Sequence, residues 1–443
     1  MNARSTRFQI SALLVICSLL SLSTVVDAQR PRTNPLRGHS PAAPPAEFTD
    51  AQLNTASYLD ENPEGEYVTV SEHGCCDSCG ETSCSGCDNG CLAVWGSLEY
   101  LLWWGQDAKT PPLVTTSPIG TSYNDAGVLG ESTTSVLFGG DIQSDAFHGG
   151  RLTVGLWLDS CATLGVAGRG FSMQQNKTNF SASTDSLPII ARPFFDALNN
   201  QESSKVMSFP LEAEGGVNVA LETEVDGLQA FLRHEFKRGC NYRIDWVLGY
   251  RYFRMRESLL ITDSVLNLDT GSAFFDYQTS QFDLFDVENE FNGGEIGFMG
   301  HSVEGRWTLD FHSTVSLGEV RQLARVNGAT AITSPTGTTT DLVGGLLTQS
   351  TNIGEYRNNQ FAVIPEVSLT LGYFITPRLD LSVGYTFLYV NHLSRPGQLI
   401  DTDINLNQQT RPPPFEGPAR PEFVFRDSDY WLQGMNFGLN LRY

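Results

Sequence analysis

The sequence predicts an all-β fold, a transmembrane antiparallel up-and-down β-barrel of about ten strands, with twelve as the alternative, and with long extracellular loops. Three observations point there: apolar and polar residues alternate with period two from Leu92 to Tyr443, several alternating stretches run for ten to fifteen residues, and short connections alternate with long ones. Successive side chains of a strand point to opposite faces, so this period gives each strand one apolar and one polar face. A soluble sheet lying on a core alternates in the same way. Its strands, however, average about 5 or 6 residues, whereas tilted membrane strands need about 9 to 11.

In chain order, strands are expected at Leu92–Trp104, His148–Asp159, Ala162–Met173, Thr223–Phe236, Tyr242–Leu260, Val287–His301, Gly305–Leu323, Asn359–Phe374, Arg378–His392 and Asp429–Tyr443. The seventh is the clearest. Trp307, Leu309, Phe311, Val315 and Leu317 share one face, against Arg306, Thr308, Asp310, His312, Thr314 and Ser316 on the other. Aromatics gather towards strand ends, at Tyr100/Trp103/Trp104, Tyr250/Tyr252/Phe253, Tyr385/Phe387/Tyr389 and Tyr430/Trp431, where interfacial girdles lie. The turns at Ser160, Lys237–Gly239, Val303–Glu304 and Thr376–Pro377 are short, while 107–147, 174–222, 261–286, 324–358 and 393–428 each hold 26 residues or more. This is the connectivity of an even-stranded barrel with both ends in the periplasm. The last stretch alternates up to a terminal aromatic, similar to the sorting signal that bacterial barrel-assembly machinery reads.

Ahead of the barrel (92–443) come three segments. Residues 1–28 read as a signal peptide, with Arg4 and Arg7 before an apolar run from Ile10 to Leu22 and cleavage expected after Ala28. Residues 29–74, Pro-rich and then acidic, form a flexible spacer. Residues 75–91 carry Cys75, Cys76, Cys79, Cys84, Cys87 and Cys91. Export favours disulfides for these six, within the segment or as crosslinks to other envelope proteins. Two CxxC pairs separated by four residues are too close for the usual zinc spacing. Cys161 and Cys240 fall in short turns, where they either pair with each other or stay reduced.

The composition sorts partners and function classes. The 443 residues carry 28 Lys+Arg against 50 Asp+Glu, a net charge of −22, so no nucleic-acid partner is expected. If the apolar faces meet outer-membrane lipid, the polar faces line the lumen. The lumen set is Glu99, Arg151, Arg169, Arg233, Glu235, Arg243, Asp245, Arg251, Glu295, Asp310, His312, Glu366, Asp380 and Arg442, joined by Arg306. Both signs are present, and buried charges of mixed sign pair with one another. Ten strands enclose little more than the eight-stranded interior that side chains nearly fill, so a narrow pore is expected rather than a wide one, unless the long loops add strands or the chain oligomerises. In 261–286, Asp263, Asp269, Asp276, Asp283 and Asp286 stand without any Lys or Arg, a rim that would attract cations. None of the seven histidines falls in HExxH, and GxGxxG and GxxxxGK[ST] are absent, so no catalytic residue, metal or cofactor is expected and the chain is read as no enzyme. Asp310 and His312 share an inward face and are read as part of the lumen network.

Several stretches resemble a known family. VWGSLEYLLWW, TPPLVTTSP, VLFGG, GGRLTVGLWLD, GYRYFRMRESL, FNGGEIGF, GRWTLDF, RPGQLIDTDIN and SDYWLQGMNFGLNLRY, in that order from Val94 to Tyr443, resemble the planctomycete family of β-barrel outer-membrane proteins. The resemblance implies an outer-membrane barrel with porin-like activity, and it supplies no catalytic or ligand residues. The expected function is thus a narrow pore or passive channel for small, cation-preferred solutes. The alternative is a structural or surface-display barrel with a closed lumen, crosslinked through its cysteines. Lipid, the assembly machinery and a second copy of the chain are the expected partners.

Overall fold

The computed structural model describes residues 94–410 and 416–442. The expected signal peptide, the spacer and Cys75, Cys76, Cys79, Cys84, Cys87 and Cys91 lie outside the described residues. The strands are β1 (Val94–Gly105), β2 (Ala108–Thr116), β3 (Ser135–Ile142), β4 (Phe147–Trp157), β5 (Leu164–Met173), β6 (Asn176–Ser183), β7 (Ile190–Asp196), β8 (Gln201–Ser208), β9 (Ala213–Arg238), β10 (Tyr242–Asn267), β11 (Gln278–Glu304), β12 (Trp307–Thr333), β13 (Thr339–Val343), β14 (Gly354–Thr376), β15 (Leu379–Ser394), β16 (Asp403–Ile404) and β17 (Asp427–Arg442).

Ten of them close a ring. β9, β10, β11, β12, β14, β15, β17, β1, β4 and β5 pair in that order, every pair is antiparallel, and β5 returns to β9. The seam between first and last strands runs from Trp95 opposite Arg442 to Gly105 opposite Leu432. These are the ten strands expected from the sequence. β6 and β13 extend the sheet beside the upper parts of β9 and β12.

The outer face shows where lipid lies. On β10, Tyr242, Trp246, Leu248 and Tyr250 are exposed. From Tyr242 to Tyr252, ten steps of about 3.3 Å tilted by about 40° span roughly 25 Å, the height of a lipid-facing apolar band. Trp307, Leu309, Phe311, Val315 and Leu317 of β12 form the same band, as do Leu369, Leu371 and Tyr373 of β14.

Beyond this band the strands continue past the ends expected from the sequence. β9 to β12 hold 26 or 27 residues each. The reason is a change of parity. Below Tyr252, the inward odd-numbered residues of β10 include the charged Arg243, Asp245 and Arg251 beside Val247, whereas above it they are mostly apolar (Phe253, Met255, Leu259, Ile261), with Glu257 and Asp263 as the charged exceptions. Outward positions become Arg254, Arg256 and Ser258. β9, β11 and β12 switch in the same way, so their upper parts alternate like a soluble sheet and lack the lipid-facing aromatics that mark the lower parts.

The long connections are likewise structured. β2, β3, β7, β8 and β16 form a second, five-stranded sheet. Its Leu113, Val114, Ile190, Phe194 and Met207 pack on the inward Val217, Val219, Leu221, Leu259, Ile261, Phe285, Val287 and Val326 of the tall strands. Trp103, expected in a girdle, has the parity of Glu99 and turns inward, donating its indole N–H to Asn436 Oδ1 at 2.7 Å. Cys161 is a free thiol and Cys240 is not free, so these two turn cysteines are not joined.

The band makes a prediction. Leu248→Arg, on the lipid face, should cost about 2–4 kcal/mol, while Ser258→Arg, ten residues higher on the same outward face, should change stability by less than about 0.5 kcal/mol. Denaturant unfolding of the refolded protein in lipid vesicles measures both.

Candidate functional site

Within the lipid band, inward parity brings one polar position from every ring strand into a single layer. Glu99, Arg151, Arg169, Gln229, Arg251, Glu295, His312, Glu366, Thr386 and Asn436 are all buried there. Arg151 grips Glu99 with both arms, Nε to Oε2 at 2.6 Å and Nη2 to Oε1 at 2.8 Å. Glu366 is shared by Arg169 at 3.5 Å, Arg151 at 3.9 Å and Arg251, whose Nη2 donates to Oε2. Glu295 accepts from Gln229 at 2.7 Å and Ser316 at 3.1 Å, and lies 3.4 Å from Arg251. Three guanidiniums meet three carboxylates. The layer is neutral and its charges are paired, as burial requires.

Below it, at the short-turn end, Arg233 and Arg243 share Asp245, at 2.9 and 2.7 Å from their Nε atoms. Glu235 pairs with Arg238 at 2.8 Å. Asp310 does not join His312. It meets His301 across the β11–β12 pair at 2.6 Å, because residues directly opposite on neighbouring strands lie closer than second neighbours on one strand. Asp380 accepts from Asn440 at 2.6 Å. Arg442 stands opposite Trp95 in the seam, and its side chain lies outside the described residues. Arg306 is not in the lumen: it sits exposed in the β11–β12 turn, its guanidinium over the Tyr373 ring.

Above the layer, Trp103, Phe147, Phe253, Phe291, Ile364 and Leu432 fill the interior. Two ion pairs then fasten the inserted elements to the wall. Arg395, after β15, chelates Glu257 of β10 at 2.8 and 2.7 Å. Arg192 of β7 reaches Asp263 at 2.6 Å and Asp283 at 2.7 Å, and Lys205 of β8 adds a contact to Asp263 at 2.9 Å. Asp283 also accepts the backbone N–H groups of Leu347 and Thr348, both at 2.9 Å. Glu257, Asp263 and Asp283 have the inward parity of their strands, a signal that continuing the alternation past Tyr252 would have found. Arg192, Lys205 and Arg395 carry no such signal, since their places depend on how the loops fold back.

This corrects the acidic rim. Of its five aspartates, Asp263 and Asp283 point inward to cationic partners and Asp286 pairs with Arg325 at 3.2 Å. Only Asp269 and Asp276 stand in the β10–β11 tip.

The layer makes a prediction. Glu366→Gln leaves three buried guanidiniums without their shared carboxylate and should cost about 3–5 kcal/mol; Glu235→Gln at the mouth should cost no more than about 1 kcal/mol. Thermal unfolding in detergent, followed by heat-modifiable gel mobility, compares them.

A model of the family described as Putative beta barrel porin-7 (BBP7) matches residues 95–443. No curated protein matches the chain. Among solved structures, it is similar to the outer membrane protease OmpT of Escherichia coli, at 9% identity and a TM-score of 0.39, covering 80% of this chain and 99% of that one. It is also similar to a FadL homologue of Pseudomonas aeruginosa (8%, TM-score 0.24, 80% and 90%) and to the toluene transporter TodX of Pseudomonas putida (10%, TM-score 0.18, 79% and 89%). At such identities and TM-scores none of these likenesses assigns this chain a function. The expectation that the chain is no enzyme does not stand beside the first of these, a protease. That exclusion is withdrawn, and the likeness assigns no activity here.

Proposed function

Since the chain belongs to the beta barrel porin-7 family, whose model spans its barrel, we propose that it is an outer-membrane channel, closed in the state described, that passes small solutes when the inserted sheet leaves the mouth. One observation carries this reading. The lumen holds a paired polar layer within the lipid band, yet its upper half is filled by a separate sheet that is not part of the ring and that is fastened to the wall by a buried ion-pair latch, with a second latch on the connection after β15. The neutral layer favours neither ion sign. Preference for cations rests on the chain's net charge of −22, which draws cations towards the mouth. We place the mature protein in the outer membrane after cleavage behind Ala28, inserted by the barrel-assembly machinery, with the 75–91 cysteines available for crosslinks. A permanently sealed scaffold presenting its loops is the second reading, favoured by the apolar packing between the sheet and the tall strands.

Planar-bilayer recording separates them. The wild type should be silent or open rarely, and Arg192→Met combined with Arg395→Met should give steady single-channel steps. Silence from both at high protein load would sink the channel and leave the scaffold.

Acid acts on the same latch. Burial raises the Asp263 pKa, but Lys205 and Arg192 outweigh burial and hold the carboxyl below its ordinary range. A carboxyl with a depressed folded pKa contributes stability above its unfolded pKa, about 3.9, and loses it as pH falls through the folded value. Opening by acid is therefore expected only below about pH 4, with conductance unchanged between about pH 5 and 8.

A further inference from the structure

The short-turn mouth holds a cluster that neither the ion-pair layer nor the latches use. Arg233 lies between two indole rings, 5.0 Å from the Trp95 centroid and 4.8 Å from that of Trp157, and Arg243 stacks over Trp157 at 4.1 Å. The rings sit there because β4 and β5 place glycines beneath them. A Cβ at Gly155 would come within 2.3 Å of Trp95, and one at Gly165 within 2.6 Å of Trp157.

The charges do not balance. Arg233 and Arg243 share the single carboxylate of Asp245, which is fully buried. Glu235 is ion-paired with Arg238, although its buried Oε2 accepts no hydrogen bond among the described residues, and Asp159, in the adjoining turn, accepts the backbone N–H groups of Thr163 and Leu164 at 2.8 and 2.6 Å. Among these described side chains one positive charge is left over, in a site lined by two indoles. Two buried donors there are also unused. Arg243 Nη2, on a side chain only 5–6% exposed, and Trp95 Nε1 have no hydrogen-bond partner among the described residues. An unneutralised buried cation and unsatisfied N–H groups are each costly, and an anionic oxygen acceptor relieves such costs.

We propose that this Arg–Trp cluster is a binding site for a small oxyanion, a carboxylate or phosphate group entering from the periplasm, with Arg243 Nη2 and Trp95 Nε1 as donors and Arg233 supplying charge. The site does not depend on whether the lumen conducts.

The test uses the full refolded protein in detergent, titrated with sodium acetate or sodium phosphate at constant ionic strength against sodium chloride, and followed by calorimetry and tryptophan fluorescence. Saturable binding of acetate or phosphate, but not chloride, is expected, and the stronger of the two identifies the group. Trp95→Phe keeps the ring and its cation contact but removes the N–H, so binding should weaken roughly tenfold. Arg243→Gln should abolish it, and Arg306→Gln, in the turn outside the lumen, should leave it unchanged. Heat-modifiable mobility confirms that each variant is folded. No saturable oxyanion binding by the wild type, or equal affinity in the wild type and Trp95→Phe, overturns the site; the two donors then face water alone.

Discussion

The structure depends on one constraint: within hydrocarbon no backbone N–H or C=O can go unpaired, so the sheet must close on itself. The β1–β17 seam and the return of β5 to β9 meet that demand with ten strands. Closure at this number leaves an interior that long side chains can bridge from wall to wall. Arg169 of β5 and Glu366 of β14 are 197 residues apart in the chain and yet meet across the lumen. So narrow a space cannot hold a charge in isolation, and the central layer consequently pairs three arginines with three glutamates.

Where lipid ends, the constraint relaxes and the strands reverse their faces. Water replaces hydrocarbon outside, charged pairs such as Asp226–Arg254 and Glu288–Arg256 become tolerable there, and apolar residues move inside. The lower half of each strand was legible because its apolar face carries Trp, Tyr and Phe at period two. The upper half was not, because Val217, Val219 and Leu221 alternate with small and polar residues that also suit a loop. Strand number and order were therefore readable, whereas the height of the wall was not.

The lumen residues divide along the same line. Glu99, Arg151, Arg169, Arg251, Glu295 and Glu366 could be placed from parity alone, since a strand dictates the side on which each residue falls. Their pairing could not, because Asp310 meeting His301 and Arg251 meeting Glu366 depend on inter-strand register and on ring closure. The latches were harder still. Arg192 and Arg395 lie in connections whose path is set by packing on the tall strands, and no local pattern marks them.

The reversal of faces also fixes the depth at which this protein sits. Sliding one residue pair into the bilayer would submerge Arg254 beside Asp226, and Glu319 above Leu317. Sliding outward would strip lipid from Tyr242 and Trp307. Every tall strand repeats the same boundary, so the penalties add around the ring instead of averaging out. In a membrane that is thicker or thinner than the apolar band, the protein has no freedom to tilt or shift into register. The lipid must stretch or thin to meet it, and the barrel imposes its own thickness on the leaflets around it.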